Sequence, residues 1–128
     1  MKIELSILVW ACALTFAQVV LGLLTALPQV GAPALLGNRD DIPALEGIAG
    51  RAKRAHQNML ESLLPFAALV LVAVVAGKTN ASTALGAQLF IWGRLAFAVI
   101  YLVGIPVART LAWFVAVLGM ALIFVQLV

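Results

Sequence analysis

The sequence predicts an all-α integral membrane protein, a single bundle of four transmembrane helices. Two observations carry this. Of the 128 residues, 65% are apolar and only 10% are charged, whereas a soluble domain has about half its residues apolar and about a quarter charged. The apolar residues also fall into long runs separated by glycine, proline and polar residues, and a chain of 128 residues holds at most about four spans of about 20 residues with short connections. The same balance excludes intrinsic disorder, which needs low hydrophobicity and high charge. A net charge of +3 rests on too few and too scattered basic residues for a nucleic-acid partner. The one cysteine, Cys12, sits in an apolar run and has no intramolecular partner for a disulfide.

The first span is read from Leu5 to Leu27, within a stretch from residue 5 to residue 38 that contains no charge. Lys2 followed by an apolar run also resembles a secretory signal, but the run exceeds the usual core of about 7–15 residues, so it reads as an uncleaved span. Pro28, Gly31, Pro33, Gly37 and Asn38 break helical continuity and mark a loop over 28–43. Asp40 or Asp41 can cap the second helix, with Pro43 accommodated in its first turn. That helix is read over 44–77, long enough to reach about 51 Å, so its polar first third should project from a hydrocarbon layer of about 30 Å. Lys78, Thr79 and Asn80 form a turn. The third span runs over 82–104 until Pro106 interrupts it, and the fourth over 108–128.

Arg39, Arg51, Lys53, Arg54 and Arg109 lie at the side of loops one and three, against Lys2 and Lys78 at the other. The positive-inside tendency therefore places those loops in the cytoplasm and both termini outside it. A multi-pass protein of a bacterial inner membrane is the expected setting.

Helix two carries the chemical information. Arg51, Arg54, Asn58 and Glu61 follow one another at spacings of 3, 4 and 3, which confines them to about 80° of the helix circumference. Facing lipid, each deep charge would cost about 2.5–3.5 kcal/mol, so the stripe is expected to face other helices or a water-filled cleft. Pro65, one turn after Glu61, removes a backbone donor and reads either as a kink that widens the bundle or as a tolerated membrane proline. Arg94 falls near mid-membrane on helix three, with Tyr101 seven residues on and close to the same face. Glu61 is the only acidic residue embedded deeply enough to neutralise Arg94, and a Glu61–Arg94 pair is the structural reading of both. Arg51, Arg54, Asn58, Tyr101 and Arg109 remain as an uncompensated positive rim that calls for an anionic ligand, or for phospholipid head groups in the case of Arg51 and Lys53.

The run from Arg54 to Phe66, RAHQNMLESLLPF, resembles the signature of the MAPEG family (membrane-associated proteins in eicosanoid and glutathione metabolism). It looks most like the microsomal glutathione transferase and prostaglandin E synthase branch, whose run reads R-A-H-x-N-D-x-E-x-x-x-P-F. Gly93-Arg94 with Tyr101-Leu102 is similar to the family's helix-three pattern, and Arg109-Thr110 to the Arg-Ser/Thr pair that opens helix four.

The resemblance implies a homotrimer with glutathione, as co-substrate, bound between protomers in the cytoplasmic half of the membrane. By position, Arg54, Asn58, Glu61, Tyr101 and Arg94 would bind the tripeptide, Arg94 either by touching it or by pairing with Glu61. Arg109 would stabilise the thiolate and Thr110 would offer a hydroxyl. His56 falls on the far side of helix two from the stripe and reads as structural or as a contact to another protomer. The second substrate would be an apolar electrophile arriving from lipid.

The chain departs from the family in lacking a cation between Leu24 and Val30, in carrying Phe97 where the prostaglandin branch has histidine, and in carrying Ser62 where the leukotriene branch has tyrosine. Generic glutathione transfer or peroxidase chemistry is therefore favoured over eicosanoid-specific activities. A non-catalytic lipid-binding or scaffold member is the alternative. A four-helix exporter is disfavoured because residues 5–27 lack a membrane carboxylate. Trp10, Trp92 and Trp113 read as packing or interface anchors, and Gly22, Gly86 and Gly119 as points of close helix approach. No metal cluster, phosphate loop or nucleophile triad is present.

Overall fold

The computed structural model describes all 128 residues. Four long helices cross one another as α1 (Ile3–Val30), α3 (Gly47–Val75), α4 (Ala81–Val103) and α5 (Pro106–Leu127), with a short α2 (Ala32–Leu36) between the first two. All four long helices are apolar and long enough to span a bilayer. Large side chains such as Trp10, Phe16 and Trp92 point outward and are mostly exposed, as lipid-facing residues should be.

Each helix boundary has a local cause. Pro28 does not end α1. It sits in the last turn and leaves the Leu24 carbonyl without its usual donor, yet the helix runs on to Val30 and stops at Gly31, whose φ of 79° is open to glycine. The next long helix begins at Gly47 rather than near residue 44, and neither Asp40 nor Asp41 caps it. Its N-cap is Glu46, with no side-chain cap bond.

A long-range clip fixes that start instead. The Gln29 amide donates to the Glu46 carbonyl at 2.8 Å, and its oxygen accepts from the Glu46 N–H at 3.1 Å. Pro65 lies inside a continuous α3. Asn80 closes a capping box with Thr83 at the start of α4, and Pro106 occupies the first turn of α5, where a proline needs no donor.

Packing is closest between α4 and α5. A Cβ on Gly86 would meet the Gly119 carbonyl oxygen at 2.5 Å, and one on Gly93 would meet the Ala116 nitrogen at 2.8 Å. Small residues here allow the two backbones to touch, the usual source of helix association in lipid. Gly22 has no such role: nothing lies within 4 Å of its added Cβ. The central core joins α1, α3, α4 and α5 through Ile7, Met59, Phe66, Phe90 and Ile123, with the Phe66 and Phe90 rings stacked at 3.8 Å between centroids.

The two ends of the bundle differ. At the end holding both chain termini, polar side chains tie the helices together. Lys2 donates to Thr79 Oγ1, Thr83 Oγ1 to buried Glu4 Oε1 at 2.6 Å, Asn80 to Gln126, and Lys78 to the Leu127 carbonyl. At the other end α1 and α3 extend past α4 and α5. Gln18 shares a small cavity with Ala52, Ala55 and Leu102, while Leu102 is at the last turn of α4 and α1 continues to Val30, about 18 Å further. Loop one and α2 fold over that projection. Arg51 is consumed by this arrangement: its Nε donates to the Leu102 carbonyl at 3.0 Å, a cation at a helix C-terminus.

Candidate functional site

The polar stripe of α3 faces α4 at the loop-bearing end. Arg54 Nε donates to the Tyr101 hydroxyl at 3.1 Å. One turn deeper, Asn58 Oδ1 accepts from Arg94 Nη1 at 2.7 Å. Both pairs follow from antiparallel helices whose i, i+4 positions stand opposite i, i−7 positions. Tyr101 meets Phe97 edge to face at 5.4 Å between centroids, and the guanidinium carbon of Arg109, in the first turn of α5, lies 4.3 Å above the Tyr101 ring. The ring thus holds one arginine by its hydroxyl and another by its face.

A cleft of about 270 Å³ opens beside this group, lined by Asn58, Phe97, Tyr101, Arg109, Thr110 and Trp113. The structure therefore brings Asn58, Tyr101, Arg109 and Thr110 into one wall. Arg54 is attached through the tyrosine and Arg94 stands behind the asparagine. Thr110 Oγ1 donates to the Pro106 carbonyl at 3.2 Å, so it must rotate before it can donate to a ligand.

Arg94 makes no direct ion pair with Glu61, which acts on it only as a charge at longer range. Arg94 is 1% exposed, its guanidinium lies 4.2 Å from the Phe97 ring centroid, and its Nε and Nη2 are buried with no partner. Glu61 is exposed on the protomer surface, and no carboxylate comes within 4.0 Å of any arginine or lysine in the chain. The stripe turns its glutamate outward and its asparagine inward, so the direct contact to Arg94 comes from the Asn58 amide. Phe97 serves as the surface on which Arg94 rests. Trp113 is a wall of the cleft and packs against the cluster of Ala55, Phe97, Tyr101 and Ala112, in keeping with the packing role expected of it.

His56 points away from this cleft, as the helical wheel requires, and lines a second cleft between α1, loop one and α3. Arg39, which has a φ of 66°, is also there. Gln18 was not singled out by the sequence. It is 7% exposed with its Oε1 unpartnered, and its position in an uncharged run hides it. An apolar groove of Trp10, Ala13, Leu14, Ala17, Ile91, Trp92 and Leu95 runs along the outside of α1 and α4.

A family model described as the MAPEG family matches residues 7–128, nearly the whole length. The chain belongs to the MAPEG family. Membership supports, in general terms, an integral membrane protein with a glutathione-related function. No curated protein and no solved structure matches the chain. The helix-two run that carries the family resemblance in this MAPEG chain is the same run that builds the Arg54–Tyr101 and Asn58–Arg94 contacts.

The donor set can be tested against glutathione. The tripeptide offers two carboxylates, an ammonium, peptide groups and a thiol. Arg54, Arg94, Arg109 and Tyr101 are matched to anions and Glu61 to the ammonium. The unpartnered Nε and Nη2 of buried Arg94 are an unmet demand for acceptors. A cleft of about 270 Å³ falls just below the usual range of ligand pockets, about 300–1,000 Å³.

Proposed function

We propose that this MAPEG protein is a glutathione-dependent membrane transferase or peroxidase acting on apolar electrophiles, with its site completed between protomers of a homotrimer. The observation that carries the reading is the set of three arginines around Tyr101 and Asn58 with no carboxylate within 4.0 Å of them. In lipid such an excess of charge is retained only for an anionic ligand or a counter-charge. Glu61, exposed on a membrane-spanning helix, likewise calls for cover by a second copy or a ligand.

Arg54 would hold a carboxylate of glutathione, with the Tyr101 hydroxyl fixed by the same guanidinium. Asn58 and Arg94 would bind the peptide portion. Arg109 would stand beside the sulfur. A free thiol has a pKa of about 8.5 and is mostly protonated at neutral pH, and an adjacent guanidinium favours the thiolate. Arginine suits this because it stays protonated. With an aryl halide, the thiolate forms the carbon–sulfur bond, halide departs with the electron pair, and the thiol proton has already gone to solvent. Apolar substrate reaches the sulfur from the bilayer, so proximity supplies much of the rate.

The reading places loops one and three in the cytoplasm and the chain termini outside. Calorimetry of the purified oligomer with glutathione tests it: binding is expected, and no heat at millimolar ligand overturns it. The absence of charge from Leu24 to Val30 together with the apolar groove on α1 and α4 favours a second reading, a non-catalytic lipid-binding or scaffold protein. Turnover of an aryl halide that depends on Arg109 separates the two.

A further inference from the structure

Arg109 and Thr110 stand on a turn that the core does not hold. The buried residues of α5 begin at Ala112, and its N-cap, Ile105, makes no side-chain cap bond. The glycine seam with α4 lies beyond that turn, where Gly93 comes against Ala112 and Ala116. The first turn of α5 is therefore placed by what precedes it, the end of α4 and the two residues Gly104 and Ile105.

That connection is gripped from α3. Helix α4 closes with Gly104 in the left-handed region at a φ of 93°, and the Gly104 and Ile105 N–H groups both return to the Ile100 carbonyl, at 3.0 and 3.3 Å. The helical donor for the Leu102 carbonyl would be residue 106, which is a proline without an N–H. Arg51 Nε fills the gap at 3.0 Å. The atoms nearest to where a Cβ on Gly104 would stand are all Arg51's, Nε, Cδ and Cζ at 3.7, 3.8 and 3.9 Å. One turn along α3, Arg54 donates to the Tyr101 hydroxyl. Two arginines thus hold consecutive residues of the last turn of α4, one by its side chain and one by its backbone.

We propose that Arg51 is a positioning residue: by holding the Leu102 carbonyl and covering the Gly104 turn, it sets where Arg109 stands over the Tyr101 ring. Arg51 does not line the cleft at Tyr101, so it acts through the turn and not on a ligand there. Without its guanidinium the Leu102 carbonyl has no protein donor, the connection loses its hydrogen bond to α3, and the first turn of α5 drifts from the 4.3 Å contact of Arg109 with the ring. The geometric claim stands by itself. Its chemical consequence, a weaker hold on the thiolate, rests on the glutathione reading.

Two readings of the purified oligomer in micelles test it, on Arg51→Met and Arg51→Lys. Arg51 belongs to neither apolar cluster, so both variants keep the fold. The first reading needs no ligand: in arginine-labelled protein the Arg109 side-chain resonances, assigned by their loss in Arg109→Ala, are displaced by the ring beneath them. Arg51→Met should bring them back toward the free-arginine position, while Arg51→Lys, which keeps a charged donor for a helix-end carbonyl, should leave them near wild type. The second reading is the thiolate midpoint at saturating glutathione. A guanidinium moved from about 4 to about 6 Å from the sulfur loses about a third of an interaction worth about 1.5 pH units, so Arg51→Met should raise the midpoint by about 0.5. That rise should persist at about 1 M salt, where the Debye length is about 3 Å and a distant charge no longer counts. Unchanged Arg109 resonances in Arg51→Met overturn the proposal. A loss as large in Arg51→Lys, or a midpoint rise that salt abolishes, overturns it as well. If wild type binds no glutathione, the glutathione reading falls, and the ring displacement alone decides for or against Arg51.

Discussion

Replacing Arg109 by alanine tests the chemistry at its centre. The Arg109 guanidinium carbon lies 4.3 Å from the Tyr101 ring centroid, and a bound sulfur beside it would sit at about 4 Å. Two unit charges at that distance interact by about 1 kcal/mol in water and about 4 kcal/mol at an effective dielectric of 20. Arg109 is only half-buried, so about 2 kcal/mol is the working value, equivalent to about 1.5 pKa units.

Bound glutathione in wild type would then titrate near pH 7, and in Arg109→Ala near its free value of about 8.5. The thiolate fraction at pH 7 falls from about half to about 3%, so turnover should drop about fifteen-fold at that pH and recover as the pH rises. The thiolate ultraviolet band, followed against pH at saturating glutathione, reads this directly. Arg109→Lys keeps the charge and should shift the titration less. A midpoint unchanged in Arg109→Ala, with glutathione still bound, would refute the assignment.

Three further outcomes follow from the packing. Asn58→Leu removes the one hydrogen bond of Arg94 and should lower stability by about 3–5 kcal/mol, the cost of stranding a buried charge; Asn58→Leu with Arg94→Met should be more stable than Asn58→Leu alone in thermal unfolding in micelles. Gly119→Val places a side chain where a Cβ already meets the Phe90 nitrogen at 2.8 Å and should cost about 1–3 kcal/mol by overpacking α4 against α5, seen as a lower melting temperature. Gln29→Ala cuts both bonds of the Glu46 clip, so amide exchange over residues 32–46 should quicken while α4 and α5 stay protected.

The fold was legible where physics acts locally. Four apolar runs and the 3-4-3 spacing on α3 need no tertiary information, since lipid forces the backbone into helices and forces charge inward. What escaped was set at a distance. The start of α3 depends on Gln29, 17 residues away, so residues with capping propensity at Asp40 and Asp41 were outcompeted. Charge alone made Glu61 the natural partner of Arg94, but rotation about α3 decides which member of the stripe faces α4, and that member is Asn58. Gln18 could not be recognised because an unmet acceptor is a property of its neighbours and not of its residue type.

Arg94 also bears on biogenesis. An arginine at the middle of a single span raises the free energy of insertion by about 2.5–3.5 kcal/mol, and α4 has the least apolar membrane-length stretch of the four long helices. Its glycine seam with α5 and the two-residue connection at Gly104 and Ile105 make the pair a ready helical hairpin. The third segment would therefore wait at the translocon for the fourth and integrate with it as one unit, so weakening the seam should appear first as failed integration and only later as lost activity.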